Sequence, residues 1–105
     1  MLTKNIENRI VRMLESGVSF LEAYFFIDGK ELKFHASGDI SVDKVKHDYE
    51  VSVMDVIGGY ELGVYSLDGV FETLNNRLES LILDYTSKTG IKNIDNDFIV
   101  SEIVK

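Results

Sequence analysis

The chain has 105 residues, with 18 acidic against 11 basic side chains, a formal net charge of −7, and no Cys, Pro or Trp. One domain over residues 1–105 is the expectation at that length, and 45% hydrophobic residues are enough for a buried core. The missing cysteines exclude disulfide scaffolds, thiolate metal sites and cysteine nucleophiles, and the acidic balance (pI ≈ 4.7) argues against direct binding to a phosphate backbone.

The spacing of Ile6, Ile10, Met13 and Leu14 predicts a helix over residues 3–16, with Thr3 as N-cap and Gly17 as its left-handed stop. Residues 19–37 read as a β-hairpin closed by Asp28-Gly29, a residue pair that tolerates positive φ. In that register Phe25 faces Leu32, Ala23 faces Phe34 and Leu21 faces Ala36. The opposite face pairs Phe26 with Glu31, Tyr24 with Lys33 and Glu22 with His35. Gly38, Asp39, Ser41 and Asp43 mark a loop over 38–44.

A second hairpin is expected over 45–67. Tyr49, Val51 and Val53 alternate with polar or flexible residues, Gly58-Gly59 closes the turn, and Val53 faces Val64. Residues 69–88 read as a second helix with Asp68 as N-cap, Gly90 as stop, and an apolar stripe of Val70, Phe71, Leu74, Leu78, Leu81, Ile82 and Tyr85. After a polar connector over 93–97, Phe98 to Val104 predicts a last strand. The order α-β-β-β-β-α-β points to an α+β domain, a mainly antiparallel sheet with two helices packed on one face. Tyr24, Phe26, Met54 and Tyr65 then lie on the outer face of the sheet.

The N-terminal stretch carries Glu7, Arg9 and Arg12 in place of an apolar signal core, and the longest apolar run, Ala23 to Ile27, is far short of the roughly 20 residues of a membrane span. A cytoplasmic location is expected.

Catalytic and ligand motifs do not emerge. His35 and His47 lack metal-site spacing and read as surface strand residues. Asp95-Asn96-Asp97 lacks the central glycine and terminal Glu of a calcium loop. Gly58-Gly59-Tyr60-Glu61-Leu62-Gly63 sits in a hairpin pattern, away from any strand–turn–helix dinucleotide unit. No G-x-S-x-G elbow is present. The expectation is a protein without enzymatic activity, bound metal or cofactor.

Charge is the informative feature. Residues 1–46 are balanced, and the excess lies between 48 and 84, where Asp48, Glu50, Asp55, Glu61, Asp68, Glu72, Glu79 and Asp84 stand against Arg77 alone. Such a field steers basic partners and speeds their association. Exposed aromatics beside acids suit a protein interface. The expected partner-binding residues are Asp48, Glu50, Asp55, Glu61, Glu72 and Glu79, with Tyr60 and Tyr65.

In size and charge the chain resembles small acidic inhibitors: immunity proteins that block a nuclease, antitoxin-like proteins, and phage anti-restriction or anti-CRISPR proteins. That resemblance implies docking on the basic nucleic-acid-binding surface of a partner protein, as a mimic of nucleic acid. The alternative is a homodimeric structural or regulatory module that pairs through the aromatic sheet face.

Overall fold

In the structure, a computed structural model, residues 4–16, 22–38, 46–94 and 103–104 are described. The elements run α1 (Lys4–Ser16), β1 (Glu22–Asp28), β2 (Glu31–Ser37), β3 (Glu50–Ser52), α2 (Met54–Glu61), α3 (Leu67–Thr89) and β4 (Ile103–Val104). Among the described residues the chain is α+β, with three helices and a four-stranded sheet in which β3, β1 and β2 are antiparallel and β4 is parallel to β2. In α1 the predicted spacing holds: Ile6, Ile10 and Met13 are buried and Leu14 packs against them. Thr3, Gly17, most of the 38–44 loop, Asp95–Asp97 and the start of the last predicted strand lie outside the described residues.

The first hairpin forms as expected in its sidedness but not in its register. Ala23 pairs with Ala36, Phe25 with Phe34, Ile27 with Leu32 and Asp28 with Glu31, so the loop is Gly29-Lys30 and Gly29 takes φ 60°. The offset from the predicted pairing is two residues. Strand side chains alternate with period two, so an even offset leaves every side chain on its predicted face. Asp28 opposite Glu31 is a like-charge pair, and Lys33 relieves it by reaching Asp28 at 2.9 Å and Glu31 at 3.5 Å. The Lys33 hydrogen bond lowers the pKa of the Asp28 carboxyl, and the same bond raises that of Lys33.

β3 lies antiparallel to β1, with Phe25 opposite Val51, and is shorter than predicted. The expected second hairpin does not form. After Ser52 the chain turns into α2, and Gly58-Gly59 lies inside that helix instead of closing a β-turn. The physical reason is spacing: Val53, Val56, Ile57 and Tyr60 recur at i, i+3, i+4 and i+7, which places them on one helical face. Val53, Val56 and Ile57 are buried, and Tyr60 packs against the core. Burying those side chains stabilises by about 1.5–3 kcal/mol each. That exceeds the roughly 1 kcal/mol that each helical glycine costs.

α3 starts two residues before its predicted start. Its cap is Ser66, whose Oγ accepts from the Gly69 amide at 3.1 Å, and not Asp68, which falls in the first turn. Gly90 ends the helix at φ 73°, as the sequence predicts, and its amide donates to the Thr86 carbonyl at 3.0 Å. Val70, Leu74, Leu78, Leu81 and Tyr85 are buried. They join α1, α2 and the Ala23, Phe25, Ile27, Leu32, Phe34 and Ala36 face of the sheet in one core. Ile103 and Val104 pair parallel to Ala36 and Ser37 of β2, which completes the strand order β3-β1-β2-β4.

Candidate protein-docking surface

The expected outer aromatic face is not assembled as one sheet surface. Tyr24 is only 3% exposed. Its ring lies 5.8 Å from Phe26, 4.9 Å from His35 and 6.1 Å from His47, and His47 stacks on Phe26 at 3.9 Å. His35 and Glu22 meet at 3.1 Å, the predicted pair, now diagonal across the hairpin. Burial, followed by the nearby Glu22 and Glu50, pushes the Tyr24 hydroxyl pKa upward. Met54 and Tyr65 leave this face altogether: Met54 opens α2, Tyr65 lies in the turn before α3, and both pack against the core.

The acidic residues are distributed over β3, α2, α3 and the corner between the two helices. Asp48 is exposed just before β3, and Glu50 is half-buried on β3 itself. Asp55, in the first turn of α2, is bound by Arg77 of α3: Nη1 donates to Oδ1 at 2.7 Å and Nη2 to Oδ2 at 2.6 Å. This forked hydrogen bonding holds the Asp55 carboxyl below its ordinary pKa and raises that of Arg77. Asp68, Glu72 and Glu79 recur along α3 at i, i+4 and i+11, all exposed. At 3.6 residues per turn they share one flank of the helix.

The opposite flank of α3 carries Thr73, Asn76, Arg77, Ser80 and Asp84. Together with Glu50 and Val51 of β3 it lines a solvent-open groove of about 460 Å³. Residue-type patterning contained this feature as a polar stripe at helical spacing beside the apolar one. Its charges are largely engaged within the domain: Arg77 on Asp55 and the Ser52 carbonyl (3.0 Å), and Asp84 on Lys88 at 3.2 Å.

The corner between α2 and α3 carries Tyr60, Glu61 and Tyr65. Sequence reasoning missed its most exposed apolar residues, Leu62 at 84% and Val64 at 72%. The hairpin reading placed them on a strand, with Val64 against Val53. The corner is tightly hydrogen-bonded. The Leu62 amide donates to the Gly58 carbonyl at 3.0 Å, that of Gly63 to Tyr60 at 3.1 Å, and those of Val64 and Tyr65 both to Gly59 at 2.7 and 3.2 Å. Gly63 takes φ 78°, the left-handed conformation that glycine adopts most cheaply.

Among the described residues no group of three or more His, Asp or Glu side chains is arranged to hold a metal ion, and no helix is long and apolar enough to cross a membrane. Compared with protein-family models, curated proteins and solved structures, the chain matches none.

Proposed function

We propose that the protein is a non-enzymatic inhibitor that docks its acidic half on the basic nucleic-acid-binding surface of a partner protein, in the manner of nuclease inhibitors, immunity proteins and phage anti-CRISPR or anti-restriction proteins. One observation carries this reading. From 48 to 84 the only cation, Arg77, is already committed to Asp55, so the exposed Asp48, Glu61, Asp68, Glu72 and Glu79 present negative charge without a compensating side chain in that segment.

Uncompensated exposed carboxylates produce a field that steers a cationic partner and orients it on arrival. A partner so occupied has its phosphate-binding residues covered, and nucleic acid is excluded by competition. The work is done by binding alone, so no reacting group is required of this chain.

Capture of partners from lysate at low and at high salt, followed by nucleic-acid competition, tests the reading. The expected result is a basic nucleic-acid-binding protein, released by high salt because the attraction is screened and unable to hold nucleic acid while this chain is bound. A captured protein that binds nucleic acid and this chain together, or whose capture is insensitive to salt, would overturn it.

A further inference from the structure

We infer that Leu62 and Val64 form the apolar anchor of the docking surface, inserting into a hydrophobic depression bordered by Lys or Arg on the partner. This inference rests on the acidic-docking reading and locates its centre.

Three observations support it. Leu62 and Val64 are among the most exposed large apolar side chains of the described residues, and they flank one glycine at the tip of one corner. The corner is preorganised: four amide-to-carbonyl bonds within residues 58–65 hold it, and Gly63 supplies the left-handed turn. A rigid apolar pair loses little conformational freedom on binding, which is the property of anchoring residues in interfaces.

The third observation selects the occupant. Between 53 and 76 the charged side chains are Asp55, Glu61, Asp68 and Glu72, all acidic and all exposed. Asp55 is paired with Arg77, and along the chain the apolar pair is flanked by acids unpaired among the described residues, Glu61 next to Leu62 and Asp68 four residues after Val64. An acidic partner surface is repelled, a second copy of this corner is repelled by the same charges, and a cationic rim around an apolar depression is complementary.

Two probes separate the anchor from the charge: poly-L-lysine, which offers charge alone, and an amphipathic Lys/Leu peptide, which offers charge with an apolar face. Binding of each is measured at low and high salt for the parent protein and for the variant Leu62→Ser/Val64→Ser. Both substituted positions are solvent-exposed, and circular dichroism checks that the fold is retained. The expected result is about a tenfold loss of affinity for the amphipathic peptide with poly-lysine binding unchanged. Equal peptide affinities for parent and variant would overturn the anchor while salt-dependent binding of both probes leaves the acidic reading standing. Failure of both probes to bind at low salt would overturn both. Concentration-dependent self-association in sedimentation, abolished by the variant, would assign the corner to a second copy and overturn the inference.

Discussion

The ring of Tyr65 occupies the space that a side chain on Gly59 would need. A Cβ placed on Gly59 would lie 2.6 Å from Tyr65 Cε2 and closer still to Cδ2, whereas a Cβ on Gly58, one residue earlier in the same helix, meets nothing within 4 Å. The two glycines have opposite roles: Gly59 makes room for the α2–α3 corner, and Gly58 costs the helix conformational entropy. Gly58→Ala should stabilise the protein by about 0.5–1 kcal/mol. Gly59→Ala should destabilise it by about 1–3 kcal/mol through overpacking. Thermal melts of the two variants check this, and shifts of the same sign would refute it.

Asp55 and Arg77 should be coupled in a pH-dependent way. The Asp55 side chain is 60% exposed, so solvent screening keeps the coupling modest, about 0.5–1 kcal/mol in a double-mutant cycle of Asp55→Asn and Arg77→Gln at neutral pH. A carboxyl whose folded-state pKa is depressed contributes stability above its unfolded-state pKa and loses it as pH falls through the folded value. The coupling is therefore fully present at neutral pH and disappears in acid, below the ordinary 3.8. Denaturant titrations across that range measure it; a coupling that persists in strong acid would contradict the assignment.

Tyr85 fastens the far end of α3 to the first hairpin: its hydroxyl donates to the Gly29 carbonyl, and its ring meets Tyr49 edge-on at 5.1 Å. Tyr85→Phe keeps the ring contact and removes the hydrogen bond. The expected cost is about 1 kcal/mol, since the exposed Gly29 carbonyl can turn to water. Amide exchange at the 29–30 turn should speed up in the variant, and unchanged exchange and stability would count against the bond.

Ser66 and Asp68 compete for the role of α3 cap, and the geometry favours Ser66. Ser66→Ala should cost about 1 kcal/mol. Asp68→Asn should cost less, about 0.3–1 kcal/mol, because it loses only the attraction of a first-turn anion to the helix dipole. The reverse ranking in chemical denaturation would restore Asp68 as the cap.

These positions also show what could be read from residue order. The faces of the first hairpin were legible because alternation survives a two-residue change of register, whereas the register itself depends on turn geometry at Gly29-Lys30. The stripe from Val70 to Tyr85 marked α3 because five buried positions repeat at helical spacing. The segment after Ser52 was misread because Gly58-Gly59 suggests a turn, and local propensity there is overridden by burial of Val56 and Ile57. The helical spacing from Val53 to Tyr60 was the contrary signal. With the hairpin reading went the exposure of Leu62 and Val64, which depends on a corner between helices. The negative excess over 48–84 was visible in composition. Its division into a β3 group, an Arg77-bound Asp55, an α3 flank and Glu61 at the α2–α3 corner required the three-dimensional path of the chain.

Arg77 has one more consequence. Among the described residues β3 is a terminal strand, three residues long, and the Ser52 carbonyl, pointing away from β1, is held by the Arg77 guanidinium. Bare strand borders recruit strands from other molecules and grow into ordered aggregates. An incoming strand at this border must first strip a cation from both Ser52 and Asp55. The side chain that ties α3 to α2 therefore also occupies one outward carbonyl of this border, and Arg77→Gln is expected to leave that carbonyl open to a pairing strand.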